Sequence, residues 1–89
     1  MTYLLVRQRV ADFDRWHSIF KSHAAAQREA GLKDPQVLRD AEDPGIVVCI
    51  LKVEDPDKAK AFTETKEAGE AKNESGIIGE PEILLLNEV

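Results

Sequence analysis

Apolar and polar residues alternate from Thr2 to Val10. Leu4, Val6, Gln8 and Val10 fall on one side, and Tyr3, Leu5, Arg7 and Arg9 on the other. A period of two in a segment rich in β-formers predicts a strand. Asp12 then offers an N-cap side chain, and Asp14 sits in the following turn, where a carboxylate favours the helix dipole. Over residues 13–30 the period becomes helical. At about 100° per residue, Phe13, Trp16, Ile19, Phe20, His23, Gln27 and Ala30 gather on one stripe, with Asp14, Ser18, Lys21, Ser22, Arg28 and Glu29 opposite. One amphipathic helix is expected, closed by Gly31 in the left-handed conformation that commonly ends such a helix.

Gln36 to Ala41 reads as a short strand with many polar residues, and Asp43-Pro44-Gly45 as a turn before Ile46 to Val53, the most continuously apolar stretch. The polar strand is expected at a sheet edge and the apolar one at its centre. Asp55-Pro56 repeats the helix-start pattern, Asp55 as N-cap and Pro56 at the first helical position, with Ala59 and Phe62 inward. A break is expected around residues 63–65, then a short helix from Thr65 through Asn73, ended by Ser75-Gly76. Pro81 opens a last strand, Glu82 to Leu86, whose four consecutive aliphatics predict burial on both faces. The order βαββαβ is the ferredoxin-like α+β arrangement, a four-stranded antiparallel sheet with helices on one face. Its other face would show Tyr3, Leu5 and alternate aliphatics of the third and fourth strands, an apolar surface too large for a monomer to leave wet. A second copy packed sheet to sheet would cover it.

Length sharpens this picture. Eighty-nine residues suit one domain, taken as residues 1–89. A domain this small buries only about 60 to 65% of its unfolded surface, so oligomerisation is the expected source of added stability. A disulfide within the chain cannot supply it, because Cys49 is the only cysteine; it reads as a small buried hydrophobe.

The net charge of −5 and pI of about 5.0 argue against nucleic acid as a partner. Charge is uneven: residues 1–33 hold six Lys or Arg against three acids, and residues 34–89 hold six against fourteen. No run approaches the ~20 apolar residues of a membrane span. Arg7 and Arg9 interrupt the apolar stretch that a leader would need, so a cytoplasmic location is expected. One cysteine and two histidines six residues apart make no recognisable zinc site. Neither a Gly-rich phosphate loop nor a nucleophile elbow occurs. No metal and no cofactor are expected.

Candidate chemistry centres on His23 and Gln27, which sit in the middle of the apolar stripe, one turn apart and close to Trp16 in helical angle. A buried polar group left unpaired costs on the order of 1 to 3 kcal/mol, so this stripe needs hydrogen-bond partners, water or a ligand. His23 is the candidate general base, Trp16 and Phe20 the walls of a pocket, and Gln8 and Gln27 the groups that orient a phenolic or carbonyl ligand. Arg39, with Arg7, is a candidate for binding a carboxylate. The competing reading makes His23 a satisfied core histidine, lets Gln27 reach solvent past the helix end, and puts both arginines in surface salt links. His17 falls on the polar face and takes no role.

The segments Val10-Ala11-Asp12-Phe13-Asp14-Arg15-Trp16, Ala30-Gly31-Leu32, Val37-Leu38-Arg39, Glu42-Asp43-Pro44, Lys58-Ala59-Lys60-Ala61-Phe62 and Gly79-Glu80-Pro81-Glu82, with Phe20 and His23, carry a resemblance in their order and spacing. The chain resembles the antibiotic-biosynthesis-monooxygenase-like (ABM) domains of the dimeric α+β barrel superfamily. That resemblance implies a homodimer whose sheets form a barrel, with a ligand cavity between sheet and helices in each subunit. The superfamily includes cofactor-independent oxygenases acting on polycyclic phenols, haem-degrading oxygenases, lactone isomerases and polyketide cyclases. Haem-degrading members carry an Asn on the first strand, a Trp in the second crossover and a downstream His; the comparable regions here offer Gln8, no Trp and no His. The Asn, Trp and Tyr set of the cofactor-free oxygenases is also incomplete, since Trp16 lies on the first helix and Tyr3 is the only tyrosine. The implied function is a cofactor-independent monooxygenase, isomerase or cyclase acting on a small cyclic or aromatic compound, the alternative being a non-catalytic dimeric metabolite-binding or assembly module.

Overall fold

A computed structural model describes residues 1–64 and 76–89 of the chain. Strand β1 spans Thr2–Val10, helix α1 Phe13–Ser22, helix α2 Ala24–Glu29, strand β2 Leu32–Arg39, strand β3 Ile46–Val53, helix α3 Pro56–Thr63 and strand β4 Ile77–Asn87. The strands form one antiparallel sheet in the order β2-β3-β1-β4, the ferredoxin-like arrangement. The apolar strand β3 is central and β2 is an edge, as their compositions predict. The helix expected from Thr65 to Asn73 lies outside the described residues.

Local chemistry explains most of the boundaries. The Asp12 carboxylate accepts from the Arg15 N–H at 3.2 Å and starts α1. Asp55 accepts from the N–H groups of Asp57 and Lys58 at 3.0 and 3.4 Å, and Pro56 opens α3 at no cost in hydrogen bonds. Gly31 has φ of 79°, where a side chain would be strained. In the β2–β3 turn the Asp43 carboxylate accepts from the Gly45 N–H at 3.1 Å and from Arg9 at 2.7 Å, which ties the turn to β1.

The structure departs from the periodicity at three points. The helix expected over residues 13–30 is broken at His23, whose backbone sits at φ −95° and ψ 10°. The Ser22 hydroxyl donates to the Ile19 carbonyl at 2.6 Å, and the His23 N–H, which would normally take that carbonyl, donates instead to Phe20 at 3.2 Å. A side chain competing for a helical acceptor is enough to end α1 there. Strand β2 begins at Leu32, before the expected Gln36, because the edge absorbs Asp34 at φ 48° and the donor-less Pro35 through a shift in register between Lys33 and Gln36.

Strand β4 begins at Ile77, ahead of Pro81, and bulges between its pairings with Arg9 and Arg7, with Gly79 at φ 75°. Its aliphatics are not buried on both faces within the chain. Ile83, Leu84, Leu85 and Leu86 are 45, 42, 44 and 40% exposed, because an edge strand has a neighbour on one side only.

The core lies between the helices and one sheet face. Leu4 of β1 stands opposite Leu51 of β3 and packs with Val47, Trp16 and Ala59. The other face carries Tyr3, Leu5, Val48 and Ile50, half-buried, with Leu38, Leu84 and Leu86 exposed beside them. Among the described residues no helix is long and apolar enough to cross a membrane.

Candidate functional site

The alternation of β1 decides which side chains face the helices. Leu4, Val6 and Gln8 project to the same side as Cys49 and Leu51 of β3, and α1 and α2 lay Trp16, Phe20, His23 and Gln27 over them. A pocket of about 190 Å³, open on one side, remains between the two layers. Trp16 is buried and stacks on Phe20, with ring centroids 5.1 Å apart and planes inclined by 22°. The two rings form one wall, and Phe62 of α3 with Pro81 and Ile83 of β4 form the far side.

Gln8, His23 and Gln27 interrupt this apolar lining, together with Thr63, whose hydroxyl donates to the Lys60 carbonyl at 2.8 Å. Gln8 and Gln27 are each only 8% exposed, and neither amide hydrogen-bonds to another protein group among the described residues. Nor is either amide sealed off: among the described residues no buried side-chain nitrogen or oxygen lacks a hydrogen-bond partner, so these amide atoms are open to the pocket. The amides thus meet whatever fills the pocket. His23, half-buried, lines the same space, and its position follows from the break in the helix: its carbonyl accepts from the Gln27 N–H at 3.0 Å, the first turn of α2. Gln27 is therefore not led to solvent past a helix end.

Of the seven residues singled out from sequence, five are brought together: Gln8, Trp16, Phe20, His23 and Gln27. Arg39 is elsewhere. Its Nε donates to the Pro44 carbonyl at 3.1 Å and its guanidinium lies 4.3 Å from the centre of the Phe13 ring, a cation–π contact at the opposite end of β2. Arg7 projects to the outer sheet face, in a polar hollow with Arg9, Glu80 and Glu82 beside the β4 bulge. There Arg9 holds the Asp43 carboxyl below the usual carboxylate range by hydrogen bonding. His17 is half-buried rather than solvated, because it sits one turn after Phe13, lies tilted against that ring at 5.2 Å and stacks with Trp16 at 6.2 Å.

Cys49 also lines the pocket, and burial pushes its thiol up to about 12, which leaves it protonated and a poor nucleophile. Strand alternation places Cys49 beside Leu51 and could have identified it. Thr63 and Pro81 lack any such signal, since they reach the pocket only through the packing of α3 and the β4 bulge. Among the described residues no cluster of His, Cys, Asp or Glu is arranged to hold a metal ion.

No family model and no curated protein matches the sequence. Solved structures do match the fold. An antibiotic biosynthesis monooxygenase superposes with a TM-score of 0.76 at 14% identity, covering 100% of this chain and 99% of that one. A candidate enzyme of the same description from Bordetella bronchiseptica gives a TM-score of 0.82 at 13% identity, covering 99% and 96%. A variant of SnoaB, a cofactor-independent oxygenase from Streptomyces nogalater, gives 0.73 at 18% identity, covering 98% and 91%. The chain therefore has the ferredoxin-like fold of these ABM-type proteins. Identities this low speak for fold and not for activity.

Proposed function

We propose that the protein binds a small cyclic molecule in the pocket between its helices and sheet, acts on it without a cofactor, and works as a homodimer joined through the outer sheet faces. The observation that carries this reading is the pair of amides, Gln8 and Gln27, each 8% exposed and, among the described residues, without a protein hydrogen-bond partner, in a pocket that also holds His23. Because these amide atoms are open to the pocket, water meets them when it is empty, and a ligand's donor and acceptor can take that water's place. His23 is the lining group that can serve as a general base, since the Cys49 thiol is held protonated. The fold shared with a cofactor-independent oxygenase supports chemistry of the oxygenase, isomerase or cyclase kind. The exposed aliphatics of the outer face support the dimer.

A second reading, binding without turnover, is favoured by one observation. Among the described residues, His23 makes no hydrogen bond to a carboxylate that would orient its ring and stabilise the imidazolium. The two readings separate in a screen of neutral phenols and lactones, with Trp16 fluorescence reporting binding and absorbance reporting turnover. Catalysis predicts that His23→Ala lowers turnover by about 10² or more while binding stays within a few fold. Binding without turnover in the wild type supports the second reading, and no binding by any compound refutes both.

A further inference from the structure

The composition of the pocket wall selects the ligand further. Among the described residues no Asp, Glu, Lys or Arg lines the pocket, and its two ionisable groups are His23 and a Cys49 thiol that burial keeps neutral. A charged ligand would lose its hydration there, with no carboxylate, ammonium or guanidinium among the described lining residues to replace it. The polar contacts on offer come largely from Gln8 and Gln27, and each amide presents one carbonyl acceptor and an NH₂ donor. A partner that uses both must itself donate and accept while remaining uncharged.

Size sets the second limit. A cavity of about 150 Å³ holds one benzene ring, and a water occupies about 30 Å³ of liquid. The pocket, at about 190 Å³, therefore has room for one ring and a substituent of a few atoms. A second fused ring exceeds that volume.

We infer that the ligand is an uncharged, single-ring compound bearing a group that both donates and accepts hydrogen bonds, a carboxamide, lactam or neutral hydroxy-carbonyl, held between the Gln8 and Gln27 amides. This inference rests on the reading of the pocket as a ligand site. It narrows that reading by charge, by ring number and by the two residues that recognise the polar group.

Trp16 is the only tryptophan of the chain and stands in the pocket wall, so its fluorescence reports occupancy directly. The wild-type chain is titrated with benzamide, its charged counterparts benzoate and benzylamine, the apolar toluene, and the three-ring anthracenecarboxamide. Benzamide is expected to bind at least tenfold more tightly than benzoate or benzylamine, and anthracenecarboxamide to gain less than tenfold over benzamide. Gln8→Leu and Gln27→Leu, which keep the side-chain volume, are each expected to weaken benzamide at least tenfold and to leave toluene unchanged or tighter. Circular dichroism of both variants checks the fold. If either variant fails to fold, Gln8→Glu and Gln27→Glu replace it, and the expected result is again a tenfold loss for benzamide.

Preference for benzoate or benzylamine, a gain of more than tenfold for the three-ring amide, or equal losses of benzamide and toluene in the Leu variants would overturn the inference and leave the pocket a binding site. Silence of Trp16 towards every compound at millimolar concentration would overturn the pocket reading itself.

Discussion

Replacing Leu84 with serine tests the homodimer at one residue. Leu84 of β4 stands opposite Leu5 of β1 on the sheet face away from the helices, and it is 42% exposed in the single chain. Complete burial of a leucine side chain contributes about 1.5 to 3 kcal/mol. Covering the remaining exposed part of Leu84 then stabilises a sheet-to-sheet dimer by about 1 kcal/mol per copy. A twofold interface contains the residue twice, so Leu84→Ser should weaken association by about 2 kcal/mol, roughly 30-fold in Kd. Leu85 is the internal control, because it is 44% exposed but points to the helix side, opposite Leu4. Leu85→Ser should leave the dimer Kd within about threefold, a shift of ~0.6 kcal/mol. Sedimentation velocity over a concentration series, with circular dichroism on the same samples, separates dissociation from unfolding. Equal shifts from the two substitutions, or a wild type that stays a folded single chain at micromolar concentration, would refute the face-to-face dimer.

Two further outcomes follow from the fold. Burial raises the Cys49 thiol to about 12, above its unfolded value, so the folded chain keeps a proton that the unfolded chain releases. Its contribution to stability is fully present below the unfolded pKa, near 8.5, and is lost as pH rises towards the folded value, by up to about 1.4 kcal/mol per pH unit. Urea titrations of the wild type and Cys49→Ala between those limits should show the difference between them narrowing as pH rises, and a constant difference would contradict the burial argument. Removing the N-cap of α3 by Asp55→Ala should cost about 1 kcal/mol, since two backbone N–H groups lose their acceptor. Thermal melts would show the loss, and an unchanged midpoint would mean that the helix start is held by Pro56 alone.

Much of the fold is legible in the sequence where the signal is local. β1 and β3 match their apolar patterns to the residue, and the starts of α1 and α3 follow from Asp12 and Asp55. The site was legible for the same reason on two elements. Period-two alternation assigns Gln8 to the face of Leu4 and Val6, and helical period puts Trp16, Phe20, His23 and Gln27 on one stripe, so these five meet wherever that helix covers that strand. Arg39 escapes this logic, because composition marks it as a charge available for a ligand and says nothing of Phe13, which holds it at the other end of β2.

By itself the sequence determined the order of the strands, the faces of β1 and β3, the inward stripe of the first helical segment, and the absence of Asp, Glu, Lys and Arg on the stripe that became the pocket wall. These are properties of periods and caps, set within a few residues of each position. Tertiary packing alone decided that Thr63 and Pro81 would complete the pocket, that β4 would bulge and leave its aliphatics half bare, and how much space would remain around Trp16. Each of those depends on contacts between segments far apart in the chain, and the volume left over when two layers pack is fixed by all of their side chains at once.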